Sequence, residues 1–224
     1  MKTCVLIPSY NEEKTIGGIV KKVRALELDV IVVDDGSSDN TEKAAKEAGA
    51  LVISHPKNHG KGFALRNGFT YTLGQDYEAV ITMDGDGQHD VQDIKKFLKA
   101  TESNPQLGVI VGNRMLNTKD MPFIRFLTNI FMSFVISMFS RQEIADTQCG
   151  FRLVRRAVLE NIRLFTSNFE IESEILIRAG RLGYKISSIP IQTIYLTKSS
   201  KISPFIDTFR FIKFIIKEIW ISIF

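Results

Sequence analysis

The sequence predicts an α/β fold: a mostly parallel sheet flanked by helices. Short apolar runs alternate with amphipathic segments through the first 112 residues, as in βαβ units, and polar acidic loops follow the strands. The chain has 224 residues, of which 44% are hydrophobic and 24% charged, so it can bury a sizeable core. This composition excludes a disordered chain, a collagen-like repeat and a disulfide-stapled miniprotein.

The elements follow from the pattern in chain order. Predicted strands are the apolar runs at residues 4–7, 30–33, 51–53, 79–83 and 109–111. Predicted helices are the amphipathic segments near residues 12–26, 40–48, 60–73 and 91–101. Asp39 and Glu42 predict a capping box at the start of the second helix, and Gly49 predicts its C-terminal cap.

Polar, acid-rich loops follow three of the strands, at residues 8–13, 34–39 and 84–90. Ligands bind beyond the carboxyl ends of parallel strands, so we expect these loops to converge on one edge. Asp84 and Asp86 could together hold Mg²⁺ or Mn²⁺, since hard cations prefer oxygen ligands. The alternative, an acidic turn that merely ends a strand, is disfavoured because three such loops share the edge.

Competing motifs fail on spacing. A calcium loop starting at Asp84 would need glycine and glutamate where the chain has His89 and Lys95. Phosphate-loop, dinucleotide-binding and HExxH zinc motifs do not occur in the sequence. The two cysteines, Cys4 and Cys149, lie outside any CxxC pattern and are predicted to be reduced thiols.

The second half of the chain is more basic and more apolar than the first. Residues 1–120 carry a net charge of −2, and residues 121–224 carry +6. The segment 121–140 is apolar except for a polar stripe at four-residue spacing, formed by Arg125, Asn129, Ser133 and Ser137. This pattern predicts a helix with a wide apolar face, which in an arbitrary protein would be a core helix.

Residues 201–224 predict an amphipathic helix with Arg210, Lys213 and Lys217 on one face. A basic, aromatic-rich helix suits an anionic membrane surface, although a partner protein or a second subunit could take the same face. The basic residues are interleaved with bulky aliphatic ones, which argues against nucleic acid as a partner.

Six motifs occur in order along nearly the whole chain: PSYNEE at 8–13, VVDDGSSDNT at 32–41, DGDGQH at 84–89, GNR at 112–114, DTQCGFR at 146–152 and SKISP at 200–204. Together they resemble the family 2 glycosyltransferases of the GT-A fold. The closer similarity is to polyprenyl-phosphate sugar synthases, such as dolichyl-phosphate mannose synthases and dolichyl-phosphate glucosyltransferases. The resemblance implies inverting transfer of a hexose, mannose or glucose, from a nucleotide-diphosphate sugar (UDP-glucose or GDP-mannose) to a polyprenyl phosphate (dolichyl or undecaprenyl).

The resemblance also implies a donor site in the front loops. Its nucleoside pocket would comprise Pro8, Tyr10, Glu12 and Asp35. The ligands of a Mg²⁺ or Mn²⁺ cofactor on the diphosphate would be Asp84, Asp86 and Gln88. Such a cation offsets charge that grows as the glycosidic bond breaks, so Asp86 counts as catalytic. Lys61 is interpreted either as a phosphate contact or as an ordinary solvated lysine.

The acceptor phosphate is expected at basic residues, because guanidinium groups bind phosphate bidentately. The candidates are Arg114, Arg125, Asn129, Lys198 and Lys201, with Arg152 less favoured. A phosphate monoester is largely dianionic at neutral pH and can attack without losing a proton. Asp146 occupies the position from which related enzymes supply a base; we interpret it first as an orienting group. Arg114 and Asp146 join Asp86 as predicted catalytic residues.

The resemblance, together with Pro122 at the start of the segment, implies an amphipathic interface helix near 121–140 within a catalytic domain over residues 1–200. A membrane-surface helix is predicted over 201–224. The protein would act peripherally at the cytoplasmic face of a membrane, and homo-oligomers are possible. Two alternatives stay open. The same fold could transfer sugar to a saccharide or lipid hydroxyl, which would require Asp146 as a base. The chain could instead be a non-catalytic nucleotide-sugar or membrane-binding module, against which the joint presence of Asp84, Asp86 and Gln88 counts.

Overall fold

A seven-stranded sheet forms the centre of the protein. The structure, a computed structural model, describes residues 1–116, 118, 121–194, 210–216 and 218. The strands are β1 (Thr3–Ser9), β2 (Asp29–Asp34), β3 (Leu51–Ser54), β4 (Ala79–Thr82), β5 (Leu107–Asn113), β6 (Arg152–Arg155) and β7 (Lys185–Pro190). Their order is β3-β2-β1-β4-β6-β5-β7, and β6 runs antiparallel to both of its neighbours. The predicted mostly parallel sheet is confirmed.

Helices connect and flank these strands. They are α1 (Ile16–Arg24), α2 (Thr41–Glu47), α3 (Lys61–Leu73), α4 (Ile94–Ser103), α5 (Phe123–Ser140), α6 (Arg156–Asn161) and α7 (Glu170–Arg181), with a 3₁₀ turn at Val91–Asp93 before α4. Every strand and helix predicted for the first 112 residues is present. The elements β6, α6, α7 and β7 were not predicted.

The inner strands are buried on both faces. Consecutive residues of β1, from Cys4 to Ile7, are fully buried, although neighbouring side chains of a strand point to opposite faces. Both faces of the sheet are therefore covered there, which explains why the strand sequence is a continuous apolar run rather than an alternating one. Cys4 and Cys149 are buried free thiols, as predicted.

The register of the parallel strands brings the polar loops together. Ser9 at the end of β1 lies opposite Asp34 at the end of β2, and Leu6 lies opposite Thr82 at the end of β4. The loops that follow these three strands consequently start at the same edge of the sheet. The predicted convergence of the acidic loops is confirmed.

The caps predicted for the two ends of α2 are confirmed in part. Asp39 accepts a hydrogen bond from the backbone N–H of Thr41 at 3.0 Å, but the N-cap position is Asn40, whose side chain makes no capping bond. Glu42 pairs with Lys46 at 2.5 Å, so the reciprocal half of the predicted capping box is wrong. Gly49 adopts φ of +95° and donates to the carbonyl of Lys46 at 3.0 Å, which confirms it as the C-terminal stop.

Helix α5 buries its polar stripe and exposes its apolar face. Asn129 and Ser133 are buried, whereas seven large apolar side chains are 47–79% exposed: Phe123, Ile124, Leu127, Ile130, Phe131, Phe134 and Met138. α5 is therefore not a core helix. With 18 residues and a mean hydropathy of 1.6 it could cross a membrane by length and composition, but a single helix of this kind does not establish a span.

The buried stripe of α5 binds the loop that follows the helix. Ser133 Oγ accepts the backbone N–H of Thr147 at 3.0 Å, and Ser137 Oγ accepts that of Ile144 at 3.0 Å. These bonds satisfy loop N–H groups that would otherwise be buried without partners. The polar side of α5 is thus needed inside the protein, which leaves the apolar side facing outward.

The described part of the C-terminal segment, residues 210–216 and 218, is helical and packs on α7. Phe211 and Phe214 are buried, and the carboxylate of Glu218 accepts hydrogen bonds from Arg178 at 2.8 Å and Arg181 at 2.6 Å. The rest of the predicted 201–224 helix lies outside the described residues. Its membrane-surface role stays a prediction.

Gly180 sets the contact between α7 and α5. A Cβ at Gly180 would lie 2.2 Å from the carbonyl oxygen of Ser140, whereas a Cβ at Gly18, exposed in α1, would meet nothing within 4 Å. We expect Gly180→Ala to lower the free energy of unfolding by about 1–3 kcal/mol through overpacking. The control Gly18→Ala should be neutral or stabilising by about 0.5–1 kcal/mol. Urea denaturation of both variants checks this; equal stabilities would contradict the proposed close packing.

Candidate active site

A cavity of about 570 Å³ lies at the carboxyl edge of the sheet. It brings together all of the residues predicted for the donor and metal sites, with the predicted acceptor residues Arg114 and Arg125. Its lining includes Pro8, Tyr10, Glu12, Asp35, Lys61, Asp84, Asp86, Gln88, Arg114 and Arg125. Side chains from the loops after β1, β2 and β4 therefore share one space with guanidinium groups from the second half of the chain.

Hydrogen bonds tie the three front loops to one another. The backbone N–H of Asn11 donates to Ser37 Oγ at 2.9 Å, and Asn11 Oδ1 accepts the N–H of Ser38 at 2.9 Å. Thr15 Oγ1 donates to the carbonyl of Gly85 at 2.7 Å. The loop after β1 is thereby fastened to the loops after β2 and β4, which fixes the cavity wall.

Lys61 lies between two carboxylates. Its Nζ is 2.5 Å from Asp84 Oδ1 and 2.5 Å from Glu172 Oε1, and it sits 5.7 Å from the centre of the Phe169 ring. Burial alone would lower the pKa of Lys61, but the charges of Asp84 and Glu172 outweigh it and raise that pKa above its ordinary value. Lys61 is therefore not an ordinary solvated lysine.

The two aspartates of the DGDG motif differ electrostatically. Burial alone would raise the pKa of Asp84, but the charge of Lys61 and the hydrogen bond from His89 hold it well below its ordinary value. For Asp86, burial and the neighbouring charge of Asp84 raise the pKa. The site thus carries an excess of negative charge at Asp86 that an added cation would offset.

The residues at this edge fit a hard divalent cation. Asp84, Asp86 and Gln88 line one cavity and offer carboxylate and amide oxygens, which Mg²⁺ and Mn²⁺ prefer. Among the residues that the structure describes, no group of three or more His, Cys, Asp or Glu is arranged to hold a metal. Two carboxylates and an amide would leave the remaining coordination positions to water and a phosphate.

Asp35 organises the loop that leads into α3. Its carboxylate accepts the backbone N–H groups of His59 at 3.0 Å and Gly60 at 2.7 Å, and it lies 2.7 Å from His55 Nδ1. Gly60 has φ of +98°, and a Cβ there would lie 2.4 Å from the carbonyl oxygen of Ser167. Asp35 lines the cavity while holding this glycine turn against the loop before α7. Its predicted contact with the donor base or ribose stays a prediction.

Arg114 and Asp146 form a buried bidentate pair. Arg114 Nε donates to Asp146 Oδ2 at 2.7 Å, and Nη2 donates to Oδ1 at 2.9 Å. Asp146 is fully buried and is not among the cavity-lining residues, whereas Arg114 is. Burial alone would raise the pKa of Asp146, but the hydrogen bonds and charge of Arg114 hold it below its ordinary value. This arrangement favours an orienting role for Asp146 over that of a base.

The predicted acceptor residues are only partly brought together. Arg125, half-buried in the first turn of α5, lines the cavity. Asn129, one turn later, is buried with Nδ2 3.8 Å from Met115 Sδ and does not line the cavity. Lys198 and Lys201 lie outside the described residues.

Arg152, the less favoured candidate for positive charge near the active site, does not line the cavity. Its side chain is fully buried, and its guanidinium donates to the backbone carbonyls of Cys149 at 2.6 Å, Thr147 at 2.7 Å and Glu172. The guanidinium N–H groups that could bind a phosphate instead satisfy these buried carbonyl groups. Arg152 thus ties the 147–149 loop to α7.

Glu172 was not predicted from the sequence, although it contacts Lys61 inside the cavity. The signal lies in residues 170–174, which read EIESE. Residues i and i+4 share one face of a helix and residue i+2 points to the other side, so the three glutamates of this segment cannot all face water on a packed helix. That pattern indicates an inward-facing carboxylate, but it does not name its partner.

The chain beyond β7 passes over the DGDGQH loop. His89 and Thr193 form an isolated antiparallel bridge, and the N–H of Ile194 donates to the carbonyl of Gln88 at 2.9 Å. Thr193 also lines the cavity. The segment leading out of the sheet is therefore fastened to the predicted metal loop.

The chain is similar to known proteins in sequence and in structure. Residues 4–163 match the model of glycosyl transferase family 2. The UDP-N-acetylglucosamine–dolichyl-phosphate N-acetylglucosaminyltransferase of Methanococcus voltae is 33% identical over 216 residues, covering 85% of each chain. The dolichyl-phosphate beta-glucosyltransferase of Saccharomyces cerevisiae is 31% identical over 242 residues, covering 93% of this chain and 71% of that protein.

Solved structures show the same architecture. Glucosyl-3-phosphoglycerate synthase from Mycobacterium tuberculosis, in complex with phosphoglyceric acid, superposes with a TM-score of 0.72 at 20% identity, covering 88% of this chain and 73% of that one. A complex of that enzyme with Mn²⁺, UDP and phosphoglyceric acid gives 0.70. The predicted GT-A fold is confirmed. The chain is a glycosyltransferase and belongs to glycosyl transferase family 2.

Proposed function

We propose that this protein transfers a hexose from a nucleotide-diphosphate sugar to a polyprenyl phosphate at a membrane surface, with inversion and with a divalent cation. The observation that carries the proposal is the orientation of α5. Its Arg125 lines the cavity that holds Asp84 and Asp86, while its opposite face is apolar and exposed. An acceptor with a charged head and a long apolar tail matches both features of this one helix.

The charges of the cavity suit the two substrates. The carboxylates of Asp84 and Asp86 fit a cation on the donor diphosphate. When bound, that cation would supply Lewis-acid stabilisation to the leaving nucleotide. Arg114 and Arg125 offer guanidinium groups to a phosphate monoester, and both line the same cavity as the carboxylates. The acceptor phosphate would therefore be held close to the sugar of the donor.

The acceptor chemistry agrees with the position of Asp146. A phosphate monoester has a second pKa of about 6, so its oxygen can attack the anomeric carbon without giving up a proton. Asp146 would hold Arg114 in place through the bidentate pair and would take no proton. A saccharide or lipid hydroxyl acceptor would instead need a base, for which a fully buried carboxylate engaged by an arginine is poorly suited.

The apolar tail would lie against the exposed face of α5. A large contiguous apolar surface is unusual on a protein that contacts only water and is typical of a membrane contact. The polar side of α5 is bound to the protein body, which favours a helix lying in the interface over one crossing the bilayer alone. We therefore propose a peripheral location, at the cytoplasmic face, where nucleotide sugars would be available.

The names of similar proteins support a polyprenyl-phosphate acceptor and favour a UDP-sugar donor. Relatives at about 30% identity are named for transfer of glucose or N-acetylglucosamine to dolichyl phosphate, and one is named for a UDP donor. We propose a UDP-hexose, with UDP-glucose the first to test and GDP-mannose the alternative.

Removing the charge of Asp86 should abolish transfer. Asp86→Asn keeps the size of the side chain but removes a cation ligand, so we expect kcat to fall by about 100-fold or more with Mn²⁺ present. Asp76→Asn, at an exposed residue that pairs with Lys2, serves as the control. Full turnover by the Asp86 variant, or wild-type turnover after complete removal of metal by chelation, would refute the cation's role.

Arg125 should matter for the lipid and not for the nucleotide sugar. We expect Arg125→Ala to raise KM for polyprenyl phosphate by about 10- to 100-fold, because a charge-assisted hydrogen-bonding partner of the phosphate is lost. The KM of the nucleotide sugar should stay within a factor of two or so. Arg163→Ala, at an exposed arginine outside the cavity, is the matched control. A loss of nucleotide-sugar affinity instead would place Arg125 in the donor site.

The apolar face of α5 should bind membranes. The double variant Phe131→Glu with Phe134→Glu places two charges on this face, at residues that are each 64% exposed. We expect its binding to anionic lipid vesicles, measured by co-sedimentation, to fall by about tenfold or more. Leu51→Glu, on the exposed edge strand β3, is the control. Unchanged vesicle binding would show that another surface meets the lipid.

A further inference from the structure

The amino group of Lys61 is shared between the predicted metal site and helix α7. Its Nζ lies 2.5 Å from Oδ1 of Asp84 and 2.5 Å from Oε1 of Glu172. The Lys61 side chain is 16% exposed and that of Glu172 is 9% exposed, so water replaces neither partner easily. One of the two carboxylates that hold this ammonium is therefore a predicted cation ligand, and the other is not.

A divalent cation at Asp84 would compete with Lys61. Both are positive, and Asp84, whose Oδ1 Lys61 contacts, lines the same cavity as Asp86. Like charges at such short range repel strongly when they are shielded from water. Because Lys61 is largely shielded from water beside the Phe169 ring, its ammonium needs a second anionic partner before it can release Asp84.

The charges of the cluster balance a divalent cation. Asp84, Asp86 and Glu172 contribute three negative charges and Lys61 one positive charge, which leaves a net charge of −2. Without the carboxylate of Glu172 the net charge would be −1. Of the two carboxylates that contact Lys61, Asp84 would then be the one that remains.

The backbone around Glu172 is held independently of its side chain. The carbonyl of Glu172 accepts a hydrogen bond from the guanidinium of Arg152. Gly150 leaves room between the carboxylates, since a Cβ there would lie 2.8 Å from both Asp84 Oδ2 and Glu172 Oε1. Changing the charge of Glu172 should therefore alter the electrostatics of the cluster without moving α7.

We propose that Glu172 is a positioning residue that holds the Lys61 ammonium when a divalent cation takes Asp84. It acts through Lys61 and sets the affinity of the site for the cation. This inference rests on the proposed function, because it requires a cation at Asp84 and Asp86.

The test is the affinity of the full chain for Mn²⁺, measured by electron paramagnetic resonance titration with and without UDP. Glu172→Gln keeps the size of the side chain and removes its charge. We expect its Kd for Mn²⁺ to rise about tenfold, because Lys61 then stays on Asp84. Glu160→Gln, at an exposed glutamate paired with Arg156, is the matched control and should bind as wild type does.

A double variant separates this role from a structural one. Lys61→Met combined with Glu172→Gln restores the net charge of −2 and removes the competitor, so its Kd should return to within about threefold of wild type. Lys61→Met alone should bind Mn²⁺ at least as tightly as wild type. That single variant leaves Glu172 intact and tests the proposal even if Glu172→Gln fails to fold.

The outcomes distinguish this inference from the function on which it rests. Unchanged Mn²⁺ affinity in Glu172→Gln, a double variant as weak as that single variant, or weaker binding by Lys61→Met would each overturn the role of Glu172 while leaving the function intact. A wild-type protein that binds no Mn²⁺ even with UDP would overturn the cation site of the proposed function as well.

Discussion

Several carboxylates share one partly buried edge of the sheet, and the rest of the site depends on how their charge is compensated. The parallel register of β1, β2 and β4 brings the acidic loops to that edge, and α7 adds Glu172. Carboxylates gathered away from water repel one another unless a cation lies between them. Lys61 supplies that charge from the first residue of α3, and glycines at positions 60 and 150 let the surrounding segments approach closely enough.

The second constraint is the reversed orientation of α5. Its polar stripe binds the loop that carries Asp146 and Thr147, so the apolar side has to face outward. The same helix places Arg125 in the cavity. Exposing so wide an apolar face is unfavourable for a protein surrounded only by water. It becomes favourable where lipid covers the helix, and this links the catalytic cavity to the proposed membrane acceptor.

The local sequence pattern predicted the strands and helices of the first 112 residues well, because apolar runs and helix caps are short-range signals. The convergence of the acidic loops also followed from the pattern, since it depends only on parallel strands. Burial and pairing across the chain could not be predicted in this way. Arg114 and Arg152 look alike in sequence, yet one lines the cavity and the other is directed at backbone carbonyls. Glu172 meets Lys61 across 111 positions, a contact that only the packed fold creates. The antiparallel strand β6 was missed because it begins and ends with arginine, so its apolar run is only two residues long.

In the proposed reaction, one cavity joins a nucleotide sugar to a lipid phosphate. The most direct measurement offers the purified protein radiolabelled UDP-glucose, or GDP-mannose in a separate reaction, with dolichyl or undecaprenyl phosphate and Mn²⁺. We expect a labelled polyprenyl-phosphate sugar with an inverted anomeric linkage, and no labelled lipid when the polyprenyl alcohol replaces the phosphate. Labelling of the alcohol or of a saccharide, with none on the lipid phosphate, would contradict the account and favour a hydroxyl acceptor.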